Sequence, residues 1–270
     1  MKKHLSTILL VLLFFVGLSV VLYPTVSDWW NQRHASRAIA GYDETAQSLT
    51  PENTEACFAA ADDYNARLAA DPDAFYDPEK ITGYEDTLNI SGTGIMGYIT
   101  IDKINVQLPI YHGTSDSVLQ VGVGHLEGTS LPVGGASTHC VLSAHRGLPS
   151  AVLFTNLDRL EAGDTFTVTV LDRLLTYEVD QISIVLPEQV RDLLITDGQD
   201  YMTLMTCTPY GINTHRLLVR GRRVENAAEK HINVTPDATR IDPMLVAPVV
   251  ALPILLLLLT VLLVRFRKRR

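Results

Sequence analysis

Two uncharged apolar runs frame the chain, and between them the pattern changes from helical to alternating. Leu5 to Tyr23 follows Lys2 and Lys3, and Met244 to Val264 precedes Arg265, Arg267, Lys268, Arg269 and Arg270. At the helical rise each run reaches roughly 30 Å, about one hydrocarbon core. Positive charge flanks the outer end of each, which predicts cytoplasmic termini and an exported middle. The first run has a rival reading as a cleaved signal peptide, with Gly17-Leu18-Ser19 a poor cleavage site; Tyr23-Pro24 and the long apolar run favour an uncleaved anchor.

The second run, with its basic tail, has the shape of the sorting signal found on wall-anchored surface proteins. No Leu-Pro-x-Thr-Gly precedes it, so it reads as an anchor. The boundaries predicted are a cytoplasmic start (1–4), a transmembrane helix (5–23) and an N-terminal helical region (24–94). A β domain (95–225), a polar tether (226–243), a second transmembrane helix (244–264) and a basic cytoplasmic tail (265–270) follow.

Residues 28 to 70 carry a helical pattern. Thr50 is an N-cap followed by Pro51 at the first helical position, with Glu52 and Glu55 where the helix dipole favours acids. Trp29 and Trp30 suit a membrane interface. The stretch Asp71-Pro72-Asp73-Ala74-Phe75-Tyr76-Asp77-Pro78-Glu79 holds two prolines too close for regular helix. It reads either as an ordinary linker or as a loop that docks Phe75 and Tyr76 into a groove.

From Ile95 the period becomes two. Phe166, Val168 and Val170 alternate with threonines, and Leu175, Tyr177 and Val179 follow a turn expected at Asp172-Arg173. Further strands are predicted at Gly97–Ile101, Val106–Tyr111, Ile182–Leu186, Tyr201–Cys207 and His215–Arg222. Only short helices fit between them, which favours a closed or nearly closed β-barrel over a doubly wound sheet.

Charge is distributed unevenly. The tails and spans hold seven of the 22 Lys+Arg and none of the 30 Asp+Glu, so the exported part carries 15 basic against 30 acidic residues, a net −15. That excludes nucleic acid as a natural partner. It fits a basic or lysine-bearing partner, or plain solubility. No metal-ligand spacing and no phosphate-cradling glycine loop occurs, so neither metal nor cofactor is expected.

Three cysteines in an exported domain cannot all pair. In the strand-like stretch Cys140 to His145, Cys140 shares the core face with Leu142 and Ala144, while Val141, Ser143 and His145 face the other way. Cys57 lies among alanines in a helical pattern and reads as inert; a Cys57–Cys140 disulfide is the alternative. Cys207 is left as the candidate nucleophile, at the end of a strand and nine residues before Arg216. Arg216 points away from the core with Leu218 and Arg220, because Leu217 and Val219 take the inner face. An arginine beside a thiol stabilises an oxyanion or holds substrate; a surface role is the bland reading. His145, before Arg146-Gly147-Leu148-Pro149, is the candidate base, with His125 its chief rival.

The segments Tyr111-His112-Gly113-Thr114, Gly122-Val123-Gly124-His125-Leu126-Glu127-Gly128-Thr129-Ser130-Leu131-Pro132, Ala144-His145-Arg146-Gly147-Leu148-Pro149 and Thr203-Leu204-Met205-Thr206-Cys207, with Arg216 downstream, resemble the sortases over roughly residues 90 to 225. The second span makes the chain most similar to the pilus-building class C. The resemblance implies a membrane-held, eight-stranded β-barrel transpeptidase of Gram-positive type. Cys207 would be its nucleophile, His145 its general acid/base and Arg216 its oxyanion or substrate stabiliser. It implies cleavage of a Leu-Pro-x-Thr-Gly-type signal between Thr and Gly, then transfer from a thioester to a pilin lysine. Pilin or surface-protein substrates are the implied partners.

Class C sortases also carry a lid in which Asp-Pro and a following aromatic plug the site. Here Asp71 and Pro72 are followed by Asp73, and Phe75 and Tyr76 are displaced from the usual spacing. Two other functions compete with pilus assembly: a housekeeping sortase that anchors proteins to peptidoglycan, and a catalytically silent tethered binding module. A papain-like protease fits poorly, since its cysteine lies near the mature N-terminus on a helix.

Overall fold

The computed structural model describes residues 5–226. The second span, most of the tether and the basic tail fall outside the described residues. The first described part, residues 5–27, belongs to helix α1 (Leu5–Ser48), which runs through Pro24 and is long and apolar enough to cross a membrane.

Residues 28–226 form the second part, built around a closed barrel of eight strands. These are β1 (Ile95–Ile101), β2 (Val106–His112), β3 (Val123–His125), β4 (Thr138–Ser143), β5 (Thr165–Val170), β6 (Arg173–Val185), β7 (Asp200–Thr208) and β8 (His215–Val224). Their order around the barrel is β1-β2-β3-β4-β7-β8-β6-β5, with β2/β3 and β4/β7 parallel and the other pairs antiparallel. Closure leaves no edge strand. The barrel is filled by the inward set that alternation predicts, including Phe166, Val168, Tyr177, Leu142, Leu204 and Val219.

Two local expectations need correction. The strand expected at Ile182–Leu186 is not separate; as far as Val185 it is the second half of a continuous β6, whose pairing with β8 shifts between Val179 and Gln181. That irregularity bends one strand where the sequence pattern suggested two. The β5–β6 turn falls one residue earlier than expected, at Leu171-Asp172, with Leu171 at φ 53°. The cysteines follow the main reading rather than its alternative: Cys57, Cys140 and Cys207 are all free thiols, and Cys140 is buried in the core.

Helix α2 (Pro51–Ala70) starts as expected: the Thr50 side chain accepts from the Asn53 amide, and Pro51 opens the helix. Its buried stripe is Phe58, Ala61, Tyr64, Asn65 and Leu68. Asn65 fastens α2 to the barrel, donating to the Leu131 carbonyl at 3.2 Å and accepting from the Leu131 amide at 2.7 Å. Past α2 the chain makes two short 3-10 turns, Pro72–Phe75 and Pro78–Lys80, each opened by its proline.

Candidate active site

The chemistry-bearing face lies on the outside of β4, β7 and β8. Antiparallel pairing sets Cys207 opposite Arg216, Met205 opposite Leu218 and Thr203 opposite Arg220. On the other side, parallel pairing sets Val141 beside Thr203 and Ser143 beside Met205. Directly paired residues share a face. Val141, Met205 and Leu218 accordingly form an apolar patch with Leu193 and Phe75, separate from the barrel core.

His145 is not the last residue of its strand; β4 ends two residues before it, at Ser143. The two chains nevertheless stay together. The Ala144 amide donates to the Met205 carbonyl at 3.2 Å, and the Thr206 hydroxyl donates to the Ala144 carbonyl at 2.7 Å. One step on, Arg146 donates to the Thr208 hydroxyl at 3.3 Å. Counted on from the last pair, Ser143 with Met205, the β4/β7 register would set His145 level with Cys207, two residues beyond the end of the ladder. Cys207, His145 and Arg216 are all half-buried.

The arginines on this face are not alike. Arg220 is bound to Asp180 through two 2.9 Å hydrogen bonds and lies 4.1 Å over the Tyr201 ring. Arg216 donates only to the backbone carbonyls of Asn213 and His215, at 3.4 and 3.2 Å, and has no carboxylate partner among the described residues. Its charge stays available to a ligand. The loop between β7 and β8 keeps Tyr210 and Ile212 exposed, and the Thr208–Pro209 peptide is cis. Gly147, at φ 77°, lies under the Tyr210 ring, where a Cβ would come within 2.9 Å of it. Only glycine suits both the conformation and the contact.

Two histidines are removed from contention by their surroundings. His125 is fully buried; its Nε2 donates to the Ser130 carbonyl at 2.9 Å and its Nδ1 accepts from the Tyr84 hydroxyl at 2.9 Å. His139 donates from Nδ1 to the Leu194 carbonyl at 2.9 Å and accepts from the Thr203 hydroxyl at 2.7 Å. Burial lowers both to about 4, so both are neutral at ordinary pH. They serve as fasteners.

The lid-like segment is only partly as expected. Phe75 packs on the apolar patch of Val141, Met205 and Leu218, one side-chain repeat along the strands from Cys207. Tyr76 does not dock: it is 67% exposed, and its ring meets Phe75 edge-on at 5.1 Å. Pro72 is exposed, and Asp71 caps its own 3-10 turn by accepting from the Asp73 amide at 3.2 Å. No ion pair joins Asp71 to an arginine among the described residues. A cleft of about 640 Å³ lies behind the segment, lined by Leu68, Phe75, Tyr76, His139, Leu193 and Asp197; Cys207, His145 and Arg216 are not among its walls.

Residues 99–224 match the sortase domain model. Sortase C1 of Streptococcus agalactiae is 49% identical to this chain over 71% of its length and 100% of that structure, with a TM-score of 0.65. The chain belongs to the sortase family. Sortase C of Streptococcus pneumoniae, a structure described with regard to catalysis and pilin substrate specificity, is 44% identical, covering 72% of this sortase and 99% of that structure at a TM-score of 0.65. Against Sortase A of Streptococcus agalactiae serotype III the identity is 32% over 117 residues, or 42% of this chain. This sortase thus spans about half the length of that curated relative, 47% of it.

Sequence reasoning missed three features of the site. Asp28 and Asn31 of α1 hold the loop beyond His145: Asp28 accepts from the Val152 amide and Asn31 donates to the Ser150 carbonyl, each at 2.8 Å. Nothing in a helical pattern announces contacts across 119 residues or more. The pairing of Arg146 with Asp158 and the His139–Thr203 bond were equally invisible; the His145-Arg146 dipeptide was the sole signal.

Proposed function

We propose that this sortase is a membrane-anchored cysteine transpeptidase that joins pilin subunits. It cleaves a Leu-Pro-x-Thr-Gly-like signal between Thr and Gly, and passes the threonyl group to a pilin lysine. The observation that carries the reading is the row across three neighbouring strands: Cys207 paired with an arginine that has no carboxylate partner among the described residues, and flanked on its other side by the run leading to His145. Likeness to sortase C structures supports the pilin assignment. We further propose two spans with both termini cytoplasmic, the first within α1, and catalysis by Cys207, His145 and Arg216.

The Cys207 thiolate attacks the threonine carbonyl carbon, and the developing oxyanion lies against Arg216. As the intermediate collapses the C–N bond breaks, and protonated His145 gives its proton to the departing glycine amine. A thioester remains on Cys207. The lysine amine attacks it, His145 takes the amine proton, and the thiolate leaves with the isopeptide formed. No metal or cofactor enters either half. Phe75 and its segment act as a lid that vacates the apolar patch before the signal binds.

The test is mass spectrometry of the purified chain with a Leu-Pro-x-Thr-Gly peptide, beside Cys207→Ala and Phe75→Ala. A thioester adduct on every protein that retains Cys207 supports the reading; none, even in Phe75→Ala, overturns it in favour of a silent binding module. Similarity to Sortase A supports a second reading, anchoring to peptidoglycan. Competition between a pilin lysine and a wall-precursor amine for the thioester separates the two.

A further inference from the structure

Arg146 occupies a position that neither the fold nor the proposed chemistry requires of it. It follows His145 directly, and its guanidinium donates to the hydroxyl of Thr208, the residue after Cys207, at 3.3 Å. The same guanidinium pairs with Asp158. Asp158 belongs to the 3-10 turn Leu157–Arg159, whose Leu157 is fully buried in the main core. The arginine side chain is only 10% exposed, whereas Asp158 is 46% exposed. Its Nε is buried with no hydrogen-bond partner among the described residues. A solvated surface arginine bears no such desolvation cost; this side chain is held in place despite it.

The place it occupies is where the backbone stops holding the two chains together. The β4/β7 ladder ends at Ser143 opposite Met205, and the Ala144 contacts extend it by one step. Past that point the two segments are joined by the Arg146–Thr208 side-chain bond and by the Gly147 backbone packed under the Tyr210 ring. We propose that Arg146, seated on Asp158, is the positioning residue that keeps His145 beside Cys207 where the sheet no longer does. Planar guanidinium suits the task, since its fork reaches a hydroxyl on one side and a carboxylate on the other. A loop free to drift by about 1 Å would cost on the order of 100-fold in rate.

The inference rests on the transpeptidase reading for its kinetic arm only. In the full chain, Arg146→Ala, Arg146→Lys and Thr208→Val are compared for kcat and KM toward a Leu-Pro-x-Thr-Gly peptide, for melting temperature, and for hydrogen exchange over residues 144–154. Arg146→Ala is expected to lower kcat by about 10- to 100-fold with KM within about twofold. Exchange should rise in 144–154 and stay unchanged in β5 and β6. Arg146→Lys keeps the charge and the Asp158 pair; it should restore the melting temperature while kcat stays at least about fivefold down, because an ammonium lacks the fork. Thr208→Val should lower kcat with no loss of stability.

Unchanged exchange in 144–154 overturns the clamp, whatever the activity. So does a kcat that recovers with the melting temperature in Arg146→Lys, which marks a merely structural ion pair. Failure of the transpeptidase reading is seen separately, as a native chain that forms no Cys207 adduct while the exchange arm still reports on the clamp.

Discussion

Cys207 and Arg216 face one another across the β7–β8 ladder, and among the described residues no acidic side chain pairs with Arg216. Four residues on, Arg220 shares the same face but is held on Asp180. One strand thus carries two arginines of different consequence. Arg216→Ala is expected to lower kcat by about 10²- to 10³-fold, as loss of one oxyanion donor does, with the melting temperature unchanged. Arg220→Ala should instead cost about 1–2 kcal/mol of stability, discounted for partial exposure. Steady-state kinetics beside thermal melts of both variants checks the pair; a reversed pattern would refute the assignment.

The two buried histidines make stability depend on pH. His125 and His139 sit at about 4 in the folded chain, below the 6.5 of a free imidazole. Between those values the unfolded chain binds protons that the folded chain refuses. Stability is therefore full above about pH 6.5 and falls as pH drops toward 4, by roughly 1.4 kcal/mol per pH unit for each histidine. Melting temperatures taken from pH 7.5 to 4.5 should trace that decline. His139→Gln should make it about half as steep, and an equally steep decline would count against the assignment.

Phe75 and Gly128 bear on the lid from opposite sides. Gly128 lies at φ 83°, and a Cβ there would come within 2.9 Å of the Phe75 carbonyl and 3.2 Å of the Ala74 carbonyl. Phe75→Ala removes the ring from the apolar patch; Gly128→Ala pushes the backbone that carries it, at about 1 kcal/mol of conformational strain. Both are expected to speed alkylation of Cys207 by several-fold. Equal alkylation rates in native protein and both variants would show that the segment is a fixed wall.

The barrel was legible because β-structure with one buried face writes itself in alternation: Phe166, Val168 and Val170 against three threonines need no tertiary information. Cys207 and Arg216 were legible for the same reason, since strand parity fixes the face on which each side chain emerges. His145 was placed on too long a strand, because the pattern cannot show where hydrogen bonding between two distant segments ends. The lid showed the opposite failure. Phe75 and Tyr76 are equally aromatic and adjacent, yet one packs and the other is exposed, a choice made by the 3-10 turn that Pro72 opens. Arg146 drew no reading of its own from the sequence, because its partners, Thr208 and Asp158, are brought to it only by the fold.

Asp28 and Asn31 should also matter to the reaction, although both lie on α1. Replacing both by Ala removes two hydrogen bonds from the loop at Ser150–Val152, each of a kind worth about 1 kcal/mol. The expected result is a several-fold lower kcat with little change in KM, measured in detergent or nanodiscs with the whole chain present.

That contact changes what it means to trim this protein for the bench. A soluble version begun after residue 31 would keep all eight strands and the Cys207–Arg216 pair, and its secondary structure would look intact. It would also have lost the two side chains that tether the far end of the histidine loop. On the proposed site, shortening the chain at that point acts on the histidine loop as a mutation there would, and rates measured on such a fragment are expected to fall below those of the full chain.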